Sequence, residues 1–379
     1  MKMKIWAIIA VLSVASTQVG CGLFGGTVNG VSKIFGTNDT ATVIAKTAQI
    51  RTSYAVVAAD LLEVKLGERL DVLDQVEFEK VQWYRVRARD EAKTEGWIEA
   101  QNVITNDTLE KSQKLAEDFA GQVPQAAGTL RAASNLRLAS DMTPDSILFK
   151  LASGKSFEIM DWKFVPKAEA PDVDDAAKGE NKKVTSSKNA EIEAAKEGEP
   201  EKIDDKYDIW YQVRLDPSVS PAPAGWLFGR QVELQIPADI VFYQANNRKF
   251  VGWQRLDTDT ADKIVSTDRM STPGNWVVLT RSNQSKPIDG VEPEFDGITV
   301  FAFDKYDQSY FTVWRTSGEV WGSLPLKVEG QGDNKTFTVQ LRHPEGRMDA
   351  KRFVVFKDKN RVKVTPPEDI AQYQQAKPR

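Results

Sequence analysis

Trp83-Tyr84-Arg85-Val86-Arg87, followed by Gly96-Trp97-Ile98, recurs as Trp210-Tyr211-Gln212-Val213-Arg214, followed by Gly225-Trp226-Leu227. Trp is the rarest large residue in most chains, so its return beside Gly at matched spacing marks an internal repeat. Such a repeat constrains the architecture before any other feature does. Upstream, Ile50-Arg51 matches Leu136-Arg137 and Gly67 matches Gly154, at separations of 17 and 18 residues. Leu70-Asp71-Val72-Leu73-Asp74 matches Phe157-Glu158-Ile159-Met160-Asp161. Gly96 to Val103 and Gly225 to Val232 are both steps of seven residues. The chain carries two copies of one small β module.

The order of these elements resembles the bacterial SH3-like (SH3b) family: an early apolar-Arg pair, a mid-module Gly before an apolar strand, Trp-aromatic-x-Val, then Gly-Trp-apolar. The second copy keeps Ser134-Asn135-Leu136-Arg137, where the first reads Ala48-Gln49-Ile50-Arg51. The resemblance implies small β barrels that are not themselves catalytic and that bind cell-wall peptides or other proteins.

The chain opens Met1-Lys2-Met3-Lys4 and runs apolar from Ile5 to Ala15. Two lysines before a short apolar run fit a secretory signal and are too short for a spanning helix. The segment ends Gln18-Val19-Gly20-Cys21, and Cys21 is the only cysteine of 379 residues. This resembles a bacterial lipobox, which implies a signal peptide over 1–20 and a lipidated Cys21. A lone exported cysteine has no intramolecular disulfide partner. Several acyl chains, at roughly 0.8 kcal/mol per buried CH₂, would hold the protein on a membrane. Gly22 stands where Asp favours the inner membrane in many enteric bacteria, so the outer membrane is the expected address in a Gram-negative cell. Residues 21–40, rich in Gly, Thr, Asn and Ser, read as a flexible tether.

Net charge is −4, from 50 basic and 54 acidic residues. That balance disfavours a nucleic-acid binder, which needs a concentrated basic face. The expected partners are a membrane, through the anchor, and a cell-wall peptide or envelope protein; alternatively the chain is a structural subunit of an envelope assembly that docks through its C-terminal β domain. The expected class is all-β: two SH3-like barrels over 41–104 and 129–235, then an antiparallel sandwich or barrel over 236–379. A helical connector over 105–128, with a helix from Thr108 to Gly121, joins the barrels.

The second copy is interrupted. Lys163 to Lys206 holds nine lysines and twelve acids, with Phe164 the sole aromatic. Such a segment buries too little apolar surface to offset its ordering entropy, and is expected to be a disordered insertion. In the last region, Phe337-Thr338-Val339-Gln340-Leu341 alternates as a half-buried strand should. Phe353–Phe356 and Arg361–Val364 read as a hairpin. Further strands are expected at Asn275–Arg281, Ile298–Phe303, Tyr310–Arg315 and Leu324–Val328, with a short helix at Thr258–Val265. Six or more strands with short breaks argue for a sandwich or barrel.

Enzyme readings fail residue by residue. A cysteine peptidase needs a thiolate beside a histidine base, but Cys21 belongs to the lipobox and His343 is the only histidine. A zinc amidase generally takes two or more His ligands, so no metal and no cofactor are expected. His343, beside Pro344 and Gly346, reads as a turn residue. Carboxylate catalysis keeps one candidate, Glu292-Pro293-Glu294-Phe295-Asp296, whose spacing does not match a calcium loop. The plainer reading of that cluster is a solvated loop.

The aromatics offer a binding surface. In a strand, successive side chains alternate faces, so Tyr84 and Val86 share the core side and Trp83, Arg85 and Arg87 the other. In the second copy, Trp210, Gln212 and Arg214 lie opposite Tyr211 and Val213. An outward Trp beside Arg is a residue type enriched at hot spots, which makes Trp83, Arg85, Arg87, Trp210 and Arg214 candidate ligand contacts. Alternatively, each Trp packs under a neighbouring loop, the reading preferred for Trp97 and Trp226.

Overall fold

The computed structural model describes residues 39–55, 57–167, 206–244, 248–257, 273–282, 287–359 and 361–375. The first module is a seven-stranded antiparallel sheet built from β1 (Thr40–Val43), β2 (Thr47–Arg51), β3 (Asp60–Lys65), β4 (Arg69–Phe78), β5 (Val81–Ala88), β6 (Glu95–Glu99) and β7 (Val103–Thr105). The second is built from β8 (Ala126–Leu130), β9 (Ser134–Arg137), β10 (Ile147–Leu151), β11 (Ser156–Pro166), β12 (Tyr207–Arg214), β13 (Ala224–Phe228) and β14 (Val232–Leu234). Strand order is β3-β2-β6-β5-β4-β1-β7 in one and β10-β9-β13-β12-β11-β8-β14 in the other. The two orders are identical when each label is advanced by one module.

Register matches residue for residue. Val76 faces Trp83, which faces Glu99; Lys163 faces Trp210, which faces Phe228. The β-bulges repeat too, between Val72 and Asp74 and between Ile159 and Asp161. The repeated glycines have a steric cause. A Cβ on Gly96 would collide with the Arg51 carbonyl and the Ile50 side chain, and on Gly225 with Leu136 and the Arg137 carbonyl. Gly67 and Gly154 sit at φ of +87° and +76°, the left-handed region open to a residue without Cβ.

Helix α1 (Asn106–Glu117) follows β7 directly, starting two residues before the expected Thr108. The second module starts at Ala126, earlier than the expected 129, because Ala126-Ala127-Gly128 pairs with β11. Ser112 on α1 is fully buried; its hydroxyl donates to the Ala224 carbonyl and accepts from the Ala224 amide at 3.1 Å. The helix is thereby fixed to β13 of the second module.

The near end of the expected disordered insertion is ordered. Lys163, Phe164, Val165 and Pro166 continue β11, opposite Trp210, Ile209, Asp208 and Tyr207. The alternating Phe164 and Val165 extend the hairpin further than charge density suggested. The remainder, 168–205, lies outside the described residues, as do Cys21, the 21–38 tether and the Thr258–Val265 helix.

The C-terminal region is a sandwich of two four-stranded antiparallel sheets. One comprises β15 (Lys249–Arg255), β16 (Trp276–Arg281), β17 (Gly297–Asp304) and β18 (Ser309–Arg315). A two-residue strand, β19 (Glu319–Val320), pairs with β24 (Gln374–Gln375) at the chain's end. The other sheet comprises β20 (Gly322–Gln331), β21 (Asn334–Arg342), β22 (Met348–Asp358) and β23 (Arg361–Thr365). The chain is all-β in class, and among the described residues no helix is long and apolar enough to cross a membrane.

Every residue of β16 is buried, and period-two alternation explains how. Val277 and Leu279 point into the sandwich, against Phe337, Val339 and Phe353. Trp276 and Val278 point the opposite way, into a core shared with Trp162, Val213, Leu227 and Trp253. This sheet is therefore the middle of three layers, with the second module on one face and β20–β23 on the other. Gly252 permits the close approach: a Cβ there would lie 3.2 Å from the Gln125 carbonyl and 3.5 Å from the Trp162 ring. Buried amides tie the layers. Gln125 exchanges hydrogen bonds with the backbone of Leu326, accepting its N–H at 2.7 Å, and Gln254 donates to the same Leu326 carbonyl at 2.7 Å.

By contrast, the first module closes on its own small core of Val43, Ile50, Val64, Leu70, Val86 and Ile98. Ile104 and Leu109, at the module's exit and on α1, belong instead to the core of the second module, and Ile44 packs against that core.

Candidate binding surface

The register fixes which side chains share the outer face of β4, β5 and β6. Cross-strand rows place Val76, Trp83 and Glu99 together, then Asp74, Arg85 and Trp97, with Phe78 opposite Val81 at the hairpin tip. Such directly opposed pairs on one face are neighbours. Trp83 is indeed on the side opposite Val86, as alternation requires. It is not the exposed anchor that its position suggested. Only 6% of its surface is accessible, and only 2% of Trp210. The ring of Trp210 packs on Phe228 at a centroid distance of 5.2 Å. These two indoles are buried at the centres of their faces, so a ligand would meet their neighbours.

The arginines are also committed. Arg85 and Arg87 converge on Glu95, at 3.1 and 2.6 Å, and all three are substantially exposed. Hydrogen bonding to Arg87, with the charges of both arginines, lowers the Glu95 pKa. Arg214 pairs with Glu158 at 2.5 Å and reaches the Gln122 carbonyl at 3.3 Å, which fastens β12 to the segment after α1.

Exposed aromatic surface collects nearby instead. Tyr54, from the β2–β3 loop, packs against Phe78 at 5.1 Å and meets Trp97 edge-on at 5.1 Å. Tyr54 and Trp97 are half-buried, and Phe78 and Val81 keep 37% and 41% of their surface. Phe78 is presented by a tight turn in which Glu79 and Lys80 both take positive φ, 51° and 64°. The sequence concealed this trio, because Tyr54 and Phe78 lie outside the repeated words. One signal was present: counting from the matched residues, the second copy has Ser140 and Val165 at those positions.

In the second module the same face is capped from within. Lys163 Nζ stands 4.8 Å from the Trp226 ring, and the Arg230 guanidinium 5.6 Å from Phe228. Arg230 is held by Asp208 at 3.1 Å.

The acidic cluster of the C-terminal region is not a solvated loop. Glu292 and Asp296 are buried, because arginines and a serine reach them inside the sandwich. Glu292 pairs with Arg281. Asp296 accepts from Arg248 Nη1 at 3.1 Å and from the amide and hydroxyl of Ser282 at 2.8 and 2.6 Å. Glu319 accepts from the same hydroxyl at 3.2 Å. Burial pushes Glu294 up to about 7, against hydrogen bonds from Leu324 N and Ser323 Oγ and with Asp161 adding to the rise. Burial likewise raises Asp296. Each acid is thus held by its own partners within the layers. His343 accepts the Glu345 amide at 3.2 Å in the turn after β21 and lies edge-on to Tyr373.

Among the described residues no cluster of potential metal ligands occurs. Comparison with known proteins finds no family model that matches this chain and no curated protein that matches it.

Proposed function

We propose that this is a non-catalytic, exported lipoprotein of the cell envelope, whose first SH3-like module binds a cell-wall peptide or an envelope protein. The observation that carries the reading is the partly exposed Tyr54–Phe78–Trp97 trio, on a face that the second copy closes with its own Lys163 and Arg230. Partly exposed aromatics rimmed by charge supply contact area with little side-chain entropy to lose. The lipidated Cys21 would hold the chain on a membrane, and the tether would let the first module reach away from it. The second module and sandwich would serve as the rigid mount.

Two experiments test this. Incubation of the full chain with purified sacculi should bring it down, and Trp97→Ala should release it. Recovery equal to that of an unrelated lipoprotein would remove the wall peptide and leave an envelope protein as ligand. Metabolic labelling with a clickable fatty acid should mark the wild type and not Cys21→Ala; equal labelling would sink the anchor.

A further inference from the structure

The two modules answer a question about ligand chemistry that neither answers alone. At matched positions of the outer face, the second module carries Lys163 and Arg230, and both cations lie over aromatic rings of that face. The first module has Val76 and Gln101 at those positions, set by the shared rows Val76–Trp83 and Lys163–Trp210 and by the count from Gly96 and Gly225. Among its described residues, no Lys or Arg stands over a ring. It has more exposed aromatic surface, from Tyr54 and Phe78, and less cation.

Charge points the same way. The position of Phe228 is taken in the first module by Glu99, a carboxylate in the row of Trp83. Its hydrogen-bond donor is the neutral amide of Gln101, so its charge is not compensated there. Glu77 and Glu79 flank Phe78 in sequence. The arginines of this face are each paired with a carboxylate: Arg85 and Arg87 with Glu95, and Arg51, across from Trp97, with Asp60 at 3.2 Å. Aromatic faces carry negative quadrupole density and attract ammonium and guanidinium groups, most strongly where water is excluded. A carboxylate beside them adds a directional partner.

We infer that the first module's face takes a cationic side chain, a lysine or arginine on an extended peptide, in the place that Lys163 and Arg230 fill within the second module. This inference rests on the binding surface proposed above and names the chemistry of its ligand. The second module is in effect self-liganded, and the first is the copy left open.

The test uses the full chain with tryptophan indoles labelled for NMR, pentalysine as probe, and pentalysine acetylated on every side-chain amine as control. Pentalysine should shift the Trp97 indole signal saturably, with the acetylated peptide at least about fivefold weaker, the scale of one cation–π contact. Val76→Lys with Gln101→Arg, which installs the second module's caps, should weaken pentalysine by a similar factor, as should Glu99→Gln. The indole spectrum of the free variants reports that they remain folded. Equal binding of both peptides, both lost in Trp97→Ala, would overturn the cation preference and leave the surface standing. Pentalysine binding unchanged in Trp97→Ala would overturn the surface as well. No binding of either peptide would overturn this inference alone, since the sacculus experiment decides the reading beneath it.

Discussion

The first and second modules share strand order, bulges, glycines and a central buried indole, yet they stand in different relations to the rest of the chain. The first closes on a private core of aliphatic residues and leaves an aromatic face open. The second shares its core with α1 and with the middle sheet of the sandwich, and covers its aromatic face with Lys163 and Arg230. One topology is thus built both as a self-contained module and as part of a larger core. The difference lies in a few outward positions, because inward positions are fixed by packing that both copies must satisfy.

The comparison breaks first at the shared core. Trp253 is almost fully buried between the second module and the sandwich. Trp253→Ala should therefore cost about 3–5 kcal/mol in denaturant melts. The loss should appear in the second module and sandwich together, while the first module keeps its own transition. A loss confined to the sandwich would show that the two are not one unit.

The next effect depends on pH. Glu294 sits at the same junction, faced by Ser323, Leu324 N, Asp161 and Lys163, and its pKa rises from the usual 4.5 to about 7. A folded-state pKa above the unfolded one means that the protonated form is favoured by folding. Stability from this group is therefore fully present below about 4.5, declines as pH rises, and is lost above about 7. The change is on the order of 3 kcal/mol. Burial raises Asp161 as well, which adds in the same sense. Glu294→Gln should flatten that decline in melts between pH 5 and 7.5, at about those values. An unaltered slope would place the titration elsewhere.

Smallest is the effect on stability of the exposed face. Trp97→Ala should cost less, about 2 kcal/mol, because the ring is only partly buried, whereas Trp226→Ala should cost about 3 kcal/mol or more. Equal losses would mean that the two faces are equally covered and would remove the distinction between reader and mount.

The repeat was legible because its residues are sterically constrained: Gly96 and Gly225 abut a neighbouring strand, and Gly67 and Gly154 need positive φ. The all-β class and most C-terminal strands followed from alternation. β15 was missed, since Gly252 interrupts its pattern and its value lies in the approach to Gln125 and Trp162. The run Trp276–Arg281 announced a strand but not its two cores, which only a partner for each face reveals. Glu292 and Asp296 were misplaced because their charges are matched by Arg281, Arg248 and Ser282, residues distant in sequence or on another strand. The side on which Trp83 and Trp210 lie was legible but their burial was not, since alternation gives a side and says nothing of cover.

Native-state hydrogen exchange in mild denaturant tests the division of the molecule most directly. The slowest amides of β12 and β16 should share one opening free energy and one dependence on denaturant, as a single cooperative unit does. Those of β5 should open separately, at lower free energy. A common value for β5, β12 and β16, or separate values for β12 and β16, would contradict the assignment of one module as an independent reader and the other as part of its mount.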